Sequence, residues 1–210
     1  METEKFKLKD IGYGIVIPVL VGLLIVAFPA VLRPALDSWF PASTSPYAFL
    51  TVIFTHGFAQ MIVFAIPLIL GLTWNKWAGG AAGFIMGTMY YLAYSGYFTS
   101  ITSLNMWRDP SFIGNYIVCG VLVGYMAGSL NNGSFSFKRM LGAGLTAAII
   151  VGFLQFFFNV TVALYGASSM SASNPGNALF LTMLPNILLG IIAPIIAKVM
   201  TWYGLYPMRH

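Results

Sequence analysis

The distribution of charge constrains this chain more than any other feature of its sequence. Only 15 of its 210 residues are charged at neutral pH, 10 Lys or Arg and 5 Asp or Glu. A soluble domain carries charge on about a quarter of its residues. The charged residues also cluster, and they leave five long runs without any charge: 11–32, 38–75, 77–107, 110–137 and 140–197.

Each of these runs is long enough for a membrane-spanning helix, since about 20 apolar residues cross the roughly 30 Å hydrocarbon core of a bilayer. The last run holds two helices, separated by the Ser- and Asn-rich segment 168–177. The alternating pattern of membrane β-strands is absent. We therefore predict an all-α integral membrane protein, a single domain over residues 1–210 with six transmembrane helices: 11–32, 49–72, 77–98, 111–130, 139–165 and 178–202.

The basic residues predict the orientation of these helices. With the N-terminus in the cytoplasm, eight Lys or Arg residues fall in inner segments, and two, Arg33 and Arg108, fall in outer loops. Cytoplasmic loops are enriched in Lys and Arg. We therefore expect both termini in the cytoplasm, a location in the cell membrane, and contact of the inner basic residues with anionic lipid headgroups. No basic face suited to nucleic acid is present.

Several kinds of chemistry are missing from the predicted spans. None carries an Asp, Glu, Lys or Arg near its middle, whereas ion-coupled transporters use such a residue as the coupling site. Two histidines, His56 and His210, and one cysteine, Cys119, are too few for a buried metal or haem site. The chain also lacks a phosphate-binding GxxxxGK[ST] loop. The sequence therefore predicts neither an enzyme nor a self-powered transporter, and no cofactor.

Hydrogen-bonding and aromatic side chains are concentrated in the outer half of the predicted bundle. Tyr and Trp form belts at membrane interfaces, and isolated Asn and Gln link neighbouring helices. Taken together, convergent polar groups in an apolar setting also suit a small-molecule pocket. The residues are Thr55, His56, Gln60, Tyr90, Tyr91, Tyr94, Ser95, Tyr97, Asn115, Tyr116, Gln155, Asn159, Tyr165, Thr182 and Asn186.

Small residues recur at four-residue spacing in three of the predicted spans. This spacing lets helix backbones approach closely, either within one chain or against a partner helix. The predicted packing residues are Gly79, Gly83 and Gly87 in the third span, Gly120, Gly124 and Gly128 in the fourth, and Gly144, Ala148 and Gly152 in the fifth.

Three stretches of the chain are similar in pattern to one family of membrane proteins. They are residues 66–92, where a Gly-rich helix follows a short inner turn, residues 115–153, and the last predicted helix at 184–200. With six spans and no ATPase motif, the chain resembles the substrate-binding S-components of energy-coupling factor (ECF) vitamin transporters. The AxxxA motif on that family's first helix packs on the coupling subunit. Here Gly14, Pro18 and Gly22 hold that four-residue spacing instead.

The resemblance implies a function and a binding site. The chain would capture a vitamin or similar metabolite outside and deliver it together with a membrane coupling subunit and two cytoplasmic ATPases. The ligand would lie near the outer face, under loops 33–48, 99–110 and 166–177. The residues expected to contact it are Trp39, His56, Gln60, Tyr94, Trp107, Arg108 and Asn159.

Other interpretations remain open. Arg33 and Arg108 either hold an anionic ligand group or pair with Asp37 and Asp109. His56 either binds the ligand as a neutral imidazole or links to a neighbouring helix. The main alternative function is a non-catalytic accessory subunit of a larger membrane complex of the oxidase or monooxygenase type, and a third is a passive channel for a neutral solute.

Overall fold

The computed structural model describes residues 59–102, 113–161 and 175–204, together with Ile15, Val16, Val19, Leu20 and Leu23. These residues contain helices and no strand, which confirms the all-α prediction for the described part of the chain. The helices are α1 (Ala59–Thr73), α2 (Lys76–Thr102), α3 (Cys119–Asn131), α4 (Phe137–Thr161) and α5 (Pro175–Trp202), and a π-helical segment, Ile113–Val118, leads directly into α3.

Among the described residues, three helical segments are long and apolar enough to cross a membrane: Ile113–Asn131, Phe137–Phe158 and Thr182–Trp202. Large apolar side chains also cover the outside of the helices. On α4 and α5 the exposed ones are Phe137, Ile150, Phe153, Phe157, Phe180, Leu184, Leu188, Ile191, Ile192, Ile195, Ile196, Val199 and Trp202. Helices that are apolar both inside and outside suit a bilayer and not water. These properties are those of a membrane protein.

Two helix ends differ from the sequence-based prediction. We predicted a loop from residue 99, but α2 continues to Thr102. We also placed Pro175 in a loop, whereas it is the first residue of α5. Proline is favoured at the first helical position because its fixed φ suits the helix and its missing N–H has no intrahelical acceptor there. The end of the segment predicted as a loop therefore belongs to the first turn of a helix.

The five helices pack as one bundle in which α1 has a central place. α1 contacts α2, α3 and α5, while α3 contacts α2 and α4, and α4 packs most extensively on α5. The α1–α2 and α3–α4 connections are short, so each pair is antiparallel. The Lys198 Nζ atom donates to the Phe135 carbonyl oxygen at 2.9 Å, which places the C-terminal part of α5 beside the α3–α4 loop.

This arrangement brings the basic residues of three helices together. Lys76 begins α2, Lys138 and Arg139 lie in the first turn of α4, and Lys198 lies near the end of α5. We call the end of the bundle that carries these four residues the basic end.

Glycine backbones form the contact between α2 and α3. A Cβ atom built on Gly79 would lie 2.5 Å from the carbonyl oxygen of Gly124, and one built on Gly120 would lie 2.8 Å from the carbonyl oxygen of Gly83. Real Cβ atoms essentially never approach a neighbour within 3.0 Å. We call this contact the glycine seam: Gly79, Gly83 and Gly87 on one side, and Tyr116, Gly120, Gly124 and Gly128 on the other.

Small residues also line the contact between α4 and α5. A Cβ atom on Gly144 would lie 2.6 Å from Pro194 Cγ, and one on Gly190 would lie 2.9 Å from the Ala148 Cβ atom. Ala143, Ala147, Ala193 and Ala197 are all nearly or fully buried in the core. In a bilayer, where lipid is as apolar as leucine, helices associate through this kind of close van der Waals packing.

Two asparagines order the turn between α1 and α2 at the basic end. The Asn75 side chain caps the start of α2 by accepting from the Ala78 backbone N–H at 2.7 Å. The fully buried Asn131 donates from Nδ2 to the Leu72 carbonyl oxygen at 2.7 Å. The last carbonyls of a helix have no partner within the helix. Asn131, at the end of α3, therefore satisfies one of these carbonyls at the end of α1.

Candidate functional site

A π-helical turn leads into α3. In Ile113–Val118 the helix is wider than an α-helix, and such turns are frequent at functional sites. The segment lies between two neighbouring helices. A Cβ atom on Gly114 would lie 2.9 Å from the Phe158 ring of α4, and the Tyr116 carbonyl group packs against Gly87 of α2. The irregular turn is therefore held in place from both sides.

Three buried amide residues meet beside this turn. The Gln155 Nε2 atom donates to the Asn115 carbonyl oxygen at 3.4 Å, and Asn186 Nδ2 donates to Gln155 Oε1 at 2.7 Å. Asn186 Nδ2 also donates to the Thr182 carbonyl oxygen at 2.8 Å. Asn115, Gln155 and Asn186 are each less than one-tenth exposed. This amide cluster connects the π-helical segment, α4 and α5 through hydrogen bonds.

Two tyrosines extend the cluster to α2. The Tyr90 and Tyr116 rings pack at a centroid distance of 4.7 Å with an angle of 51° between their planes. Tyr90 is 1% exposed and Tyr116 is 9% exposed, so both belong to the core and not to the helix surface. Buried tyrosines combine a large apolar ring with a hydroxyl that needs a polar partner. Polar and aromatic groups from four segments thus share one region of the interior.

The region lies far from the basic end. Counting along each helix at about 1.5 Å per residue, Tyr90 is about 21 Å from the start of α2, Gln155 about 27 Å from the start of α4, and Asn186 about 24 Å from the end of α5. Since the hydrocarbon core is roughly 30 Å thick, the amide cluster occupies the half of the bundle opposite the basic residues.

Three of the ligand-contact residues predicted from sequence lie in described helices. Gln60 is in α1, Tyr94 in α2 and Asn159 in α4. Tyr94 follows Tyr90 by four positions and Asn159 follows Gln155 by four, so each stands one turn further from the basic end than a cluster residue. Six other predicted residues lie outside the described residues: the ligand-contact residues Trp39, His56, Trp107 and Arg108, and the packing residues Gly14 and Gly22.

The structure adds relationships that the sequence did not predict. Asn115, Gln155 and Asn186 belonged to the polar set, but we did not count them among the ligand contacts. Gln155 and Asn186 bond to each other, so these two amides link helices. The π-helical turn was not predicted at all, because it depends on tertiary contacts with α2 and α4 and has no local sequence signal.

The cluster can perform only a limited range of chemistry. Amides and phenols bind polar groups through hydrogen bonds, and amides do not exchange protons near neutral pH. Within residues 59–102, 113–161 and 175–204, no group of three or more His, Cys, Asp or Glu side chains is placed to hold a metal ion. The cluster therefore suits the binding of a polar molecule or the linking of helices.

Comparison with known proteins gave no relative: no protein-family model matches the sequence, and no curated protein or solved structure matches it.

The coupling between Gln155 and Asn186 is open to a direct test. We expect Gln155→Leu and Asn186→Leu each to destabilise the fold by about 1–2 kcal/mol, because each leaves a buried polar partner unsatisfied. The double variant should lose less than the sum of the two, with a coupling of about 0.6–1.7 kcal/mol, the range found between membrane helices. Thermal unfolding of the four proteins in one detergent measures this, and strict additivity would show that the bond contributes nothing.

Proposed function

We propose that this chain is the substrate-capture subunit of an ECF-type transporter that takes up a vitamin or similar metabolite. It spans the cell membrane six times with both termini in the cytoplasm, and it works without catalysing a reaction itself. The observation that carries the proposal is the buried group of amides and tyrosines in the half of the bundle opposite the basic end. An apolar bundle with convergent polar groups at one depth has the composition of a small-molecule site.

The basic end supports the proposed orientation. Lys76, Lys138, Arg139 and Lys198 belong to three different helices, yet they gather at the same end of the bundle. Lys and Arg accumulate on the cytoplasmic side of membrane proteins. With the basic end inside, the amide cluster lies in the outer half of the membrane, where a molecule captured from outside would arrive.

The proposed ligand site lies on the outer side of the amide cluster, one turn further from the basic end. Asn186 donates to Gln155, and Gln155 donates to the Asn115 carbonyl oxygen, so these amides form a polar floor and leave the next turn outward to contact the ligand. That turn carries Tyr94 and Asn159. His56 and Gln60 complete the site from the second predicted span, and Trp39, Trp107 and Arg108 from the outer loops.

Energy for uptake would come from other subunits. The sequence contains no phosphate-binding loop and no charged residue in the middle of a predicted span, so neither ATP hydrolysis nor ion coupling is built into the chain. A membrane coupling subunit and cytoplasmic ATPases are accordingly the proposed partners, with lipid around the bundle.

One observation favours the accessory-subunit alternative. The Asn186–Gln155 hydrogen bond is 2.7 Å long and buried, as a purely structural link between helices would be. Gentle purification of the full chain from its native membrane, followed by mass spectrometry of proteins and small molecules, separates the two functions. Co-purifying ATPases or a bound metabolite support the transporter subunit, whereas a co-purifying redox enzyme without a metabolite contradicts it.

The proposed contacts predict a loss of bound metabolite on substitution. We expect His56→Phe and Asn159→Leu each to lower the amount of small molecule that co-purifies by about tenfold or more, since a lost hydrogen bond to a buried ligand costs about 1–3 kcal/mol. Thr146→Val, on the exposed surface of α4 near the basic end, is the matched control and should retain the full amount. Unchanged retention in the His56 and Asn159 variants would contradict the proposed site.

A further inference from the structure

The basic end carries a lysine that two aromatic rings enclose. The Lys76 Nζ atom lies 5.7 Å from the centroid of the Trp77 ring and 5.8 Å from that of Tyr125. The two rings contact each other edge to face at 5.5 Å. Lys76 and Trp77 begin α2, and Tyr125 belongs to α3, so the group stands at the mouth of the groove between these helices.

Within the part of the chain that the structure describes, the surroundings of Lys76 supply no negative charge. Residues 59–102, 113–161 and 175–204 contain no Asp or Glu, so the described residues offer Lys76 no carboxylate. Lys138 and Arg139 add positive charge at the same end, and like Lys76 they lie in the first turn of a helix. The positive end of the helix dipole is there, and it favours an anion and disfavours a cation. The positive potential at this end therefore favours an anion, which the described residues do not supply.

The groove next to Lys76 is apolar and exposed. Trp77 is 68% exposed and Phe84, two turns further along α2, is 56% exposed. Between them Gly80 is buried, and a Cβ atom built on it would lie 3.6 Å from the Tyr125 Cβ atom, so the Tyr125 side chain packs closely on α2 there. The surface beside Lys76 thus combines a cation, an exposed tryptophan and an apolar surface that continues along the helix. This combination matches a phospholipid. The headgroup phosphate fits beside the cation, and the acyl chain fits along the helices.

We infer that Lys76, Trp77 and Tyr125 form a binding site for one acidic phospholipid at the basic end of the α2–α3 groove. The phosphate contacts the Lys76 ammonium group, while the Trp77 indole and the Tyr125 phenol lie at the level of the headgroup. The acyl chains lie along the exposed side of α2, against Phe84. The inference does not depend on the proposed transport function, since it uses only the surface of α2 and α3.

Lys198 is a weaker candidate than Lys76 for the contact with the lipid phosphate. Lys198 also has an aromatic neighbour, with Nζ 6.0 Å from the Trp202 ring. Its ammonium group, however, donates to the Phe135 carbonyl oxygen at 2.9 Å and so has a role in holding α5 to the α3–α4 loop. Lys76 has its two rings and an open groove beside them.

Lipid titration of the purified full-length protein tests this site. We expect phosphatidylglycerol to bind more tightly than phosphatidylcholine with the same acyl chains, measured by native mass spectrometry and by the rise in melting temperature in neutral detergent. Lys76→Gln should lower the affinity for phosphatidylglycerol about fivefold, as expected for one lysine near an anionic headgroup. Lys138→Gln removes the same charge from an exposed position on α4 at the same end and should lower it less than twofold.

Each of the other outcomes overturns the inference. Equal losses in the two lysine variants would mean that the whole basic end attracts lipid without a site. Equal stabilisation by inorganic phosphate would mean a site for a soluble anion. Equal binding of the two lipids would assign the basic residues to an acidic protein surface instead. Both variants should fold, because the Lys76 and Lys138 side chains are not buried in the core.

Discussion

Gly83→Ala is expected to destabilise the protein by about 3 kcal/mol, the upper part of the range for overpacked cores. The added methyl group would lie against the carbonyl group of Gly120, closer than van der Waals contact allows. A flexible side chain can move away from such a contact, but here the neighbour is the backbone of α3. Helix α3 must therefore shift as a whole, and its contacts with α1 and α4 would be disturbed with it.

The matched control for this prediction is Gly142→Ala. A Cβ atom on Gly142 of α4 would meet nothing within 4 Å. The change should stabilise the helix by up to about 1 kcal/mol, because alanine has the higher helix propensity. Thermal unfolding of the full-length variants in the same detergent compares the two. If the Gly83→Ala variant melted at the same temperature as the unmodified protein, the result would contradict the close backbone contact of the glycine seam between α2 and α3.

Asn131→Asp is expected to destabilise the protein by about 3 kcal/mol or more, although the two side chains have nearly the same shape. Asn131 is fully buried, and its Nδ2 atom donates to the Leu72 carbonyl oxygen at 2.7 Å. Aspartate would replace this donor with an oxygen, so that two acceptors face each other. It would also place a carboxylate at a fully buried position. A buried unpaired charge costs several kcal/mol.

The same substitution at Asn75, in the turn between α1 and α2, should not destabilise the protein. Asn75 is partly exposed and accepts a hydrogen bond from the Ala78 N–H at the start of α2. Aspartate accepts this bond equally well and is favoured at a helix N-terminus by the dipole. We expect Asn75→Asp to leave the melting temperature unchanged or to raise it slightly. Equal effects of the two substitutions would show that Asn131 does not act as a buried donor.

The helix packing around Gly83 and Asn131 explains how a polar site can exist in an apolar bundle. The glycine seam holds α2 and α3 together, and Asn131 fixes the end of α1 against α3. With the basic end ordered in this way, the other half of the bundle can hold the π-helical turn and the amide cluster. Irregular backbone at membrane depth is tolerated only where protein groups satisfy it. Gln155 does this for the carbonyl group of Asn115.

The sequence alone determined the helical class of the protein. In lipid every backbone polar group must find a partner within the protein, so a long charge-free run has few options besides a helix. The four-residue spacing of glycines predicted close helix packing for the same local reason, since residues four apart lie on one face. Both inferences depend only on residues near each other in the chain.

Tertiary structure decided which surfaces meet. The glycine spacing does not reveal that Gly79 faces Gly124. Likewise, the residue types of Asn131, Asn132 and Gly133 are typical of a turn and indicate nothing more. Asn132 does adopt the left-handed conformation of that turn, with φ 48°. Asn131, however, bonds to Leu72, 59 residues earlier in the chain, and Gln155 bonds to Asn115 and Asn186 on two other segments. Such partners are set by how the helices are placed against one another, because a hydrogen bond needs a distance of about 3 Å whatever the sequence separation.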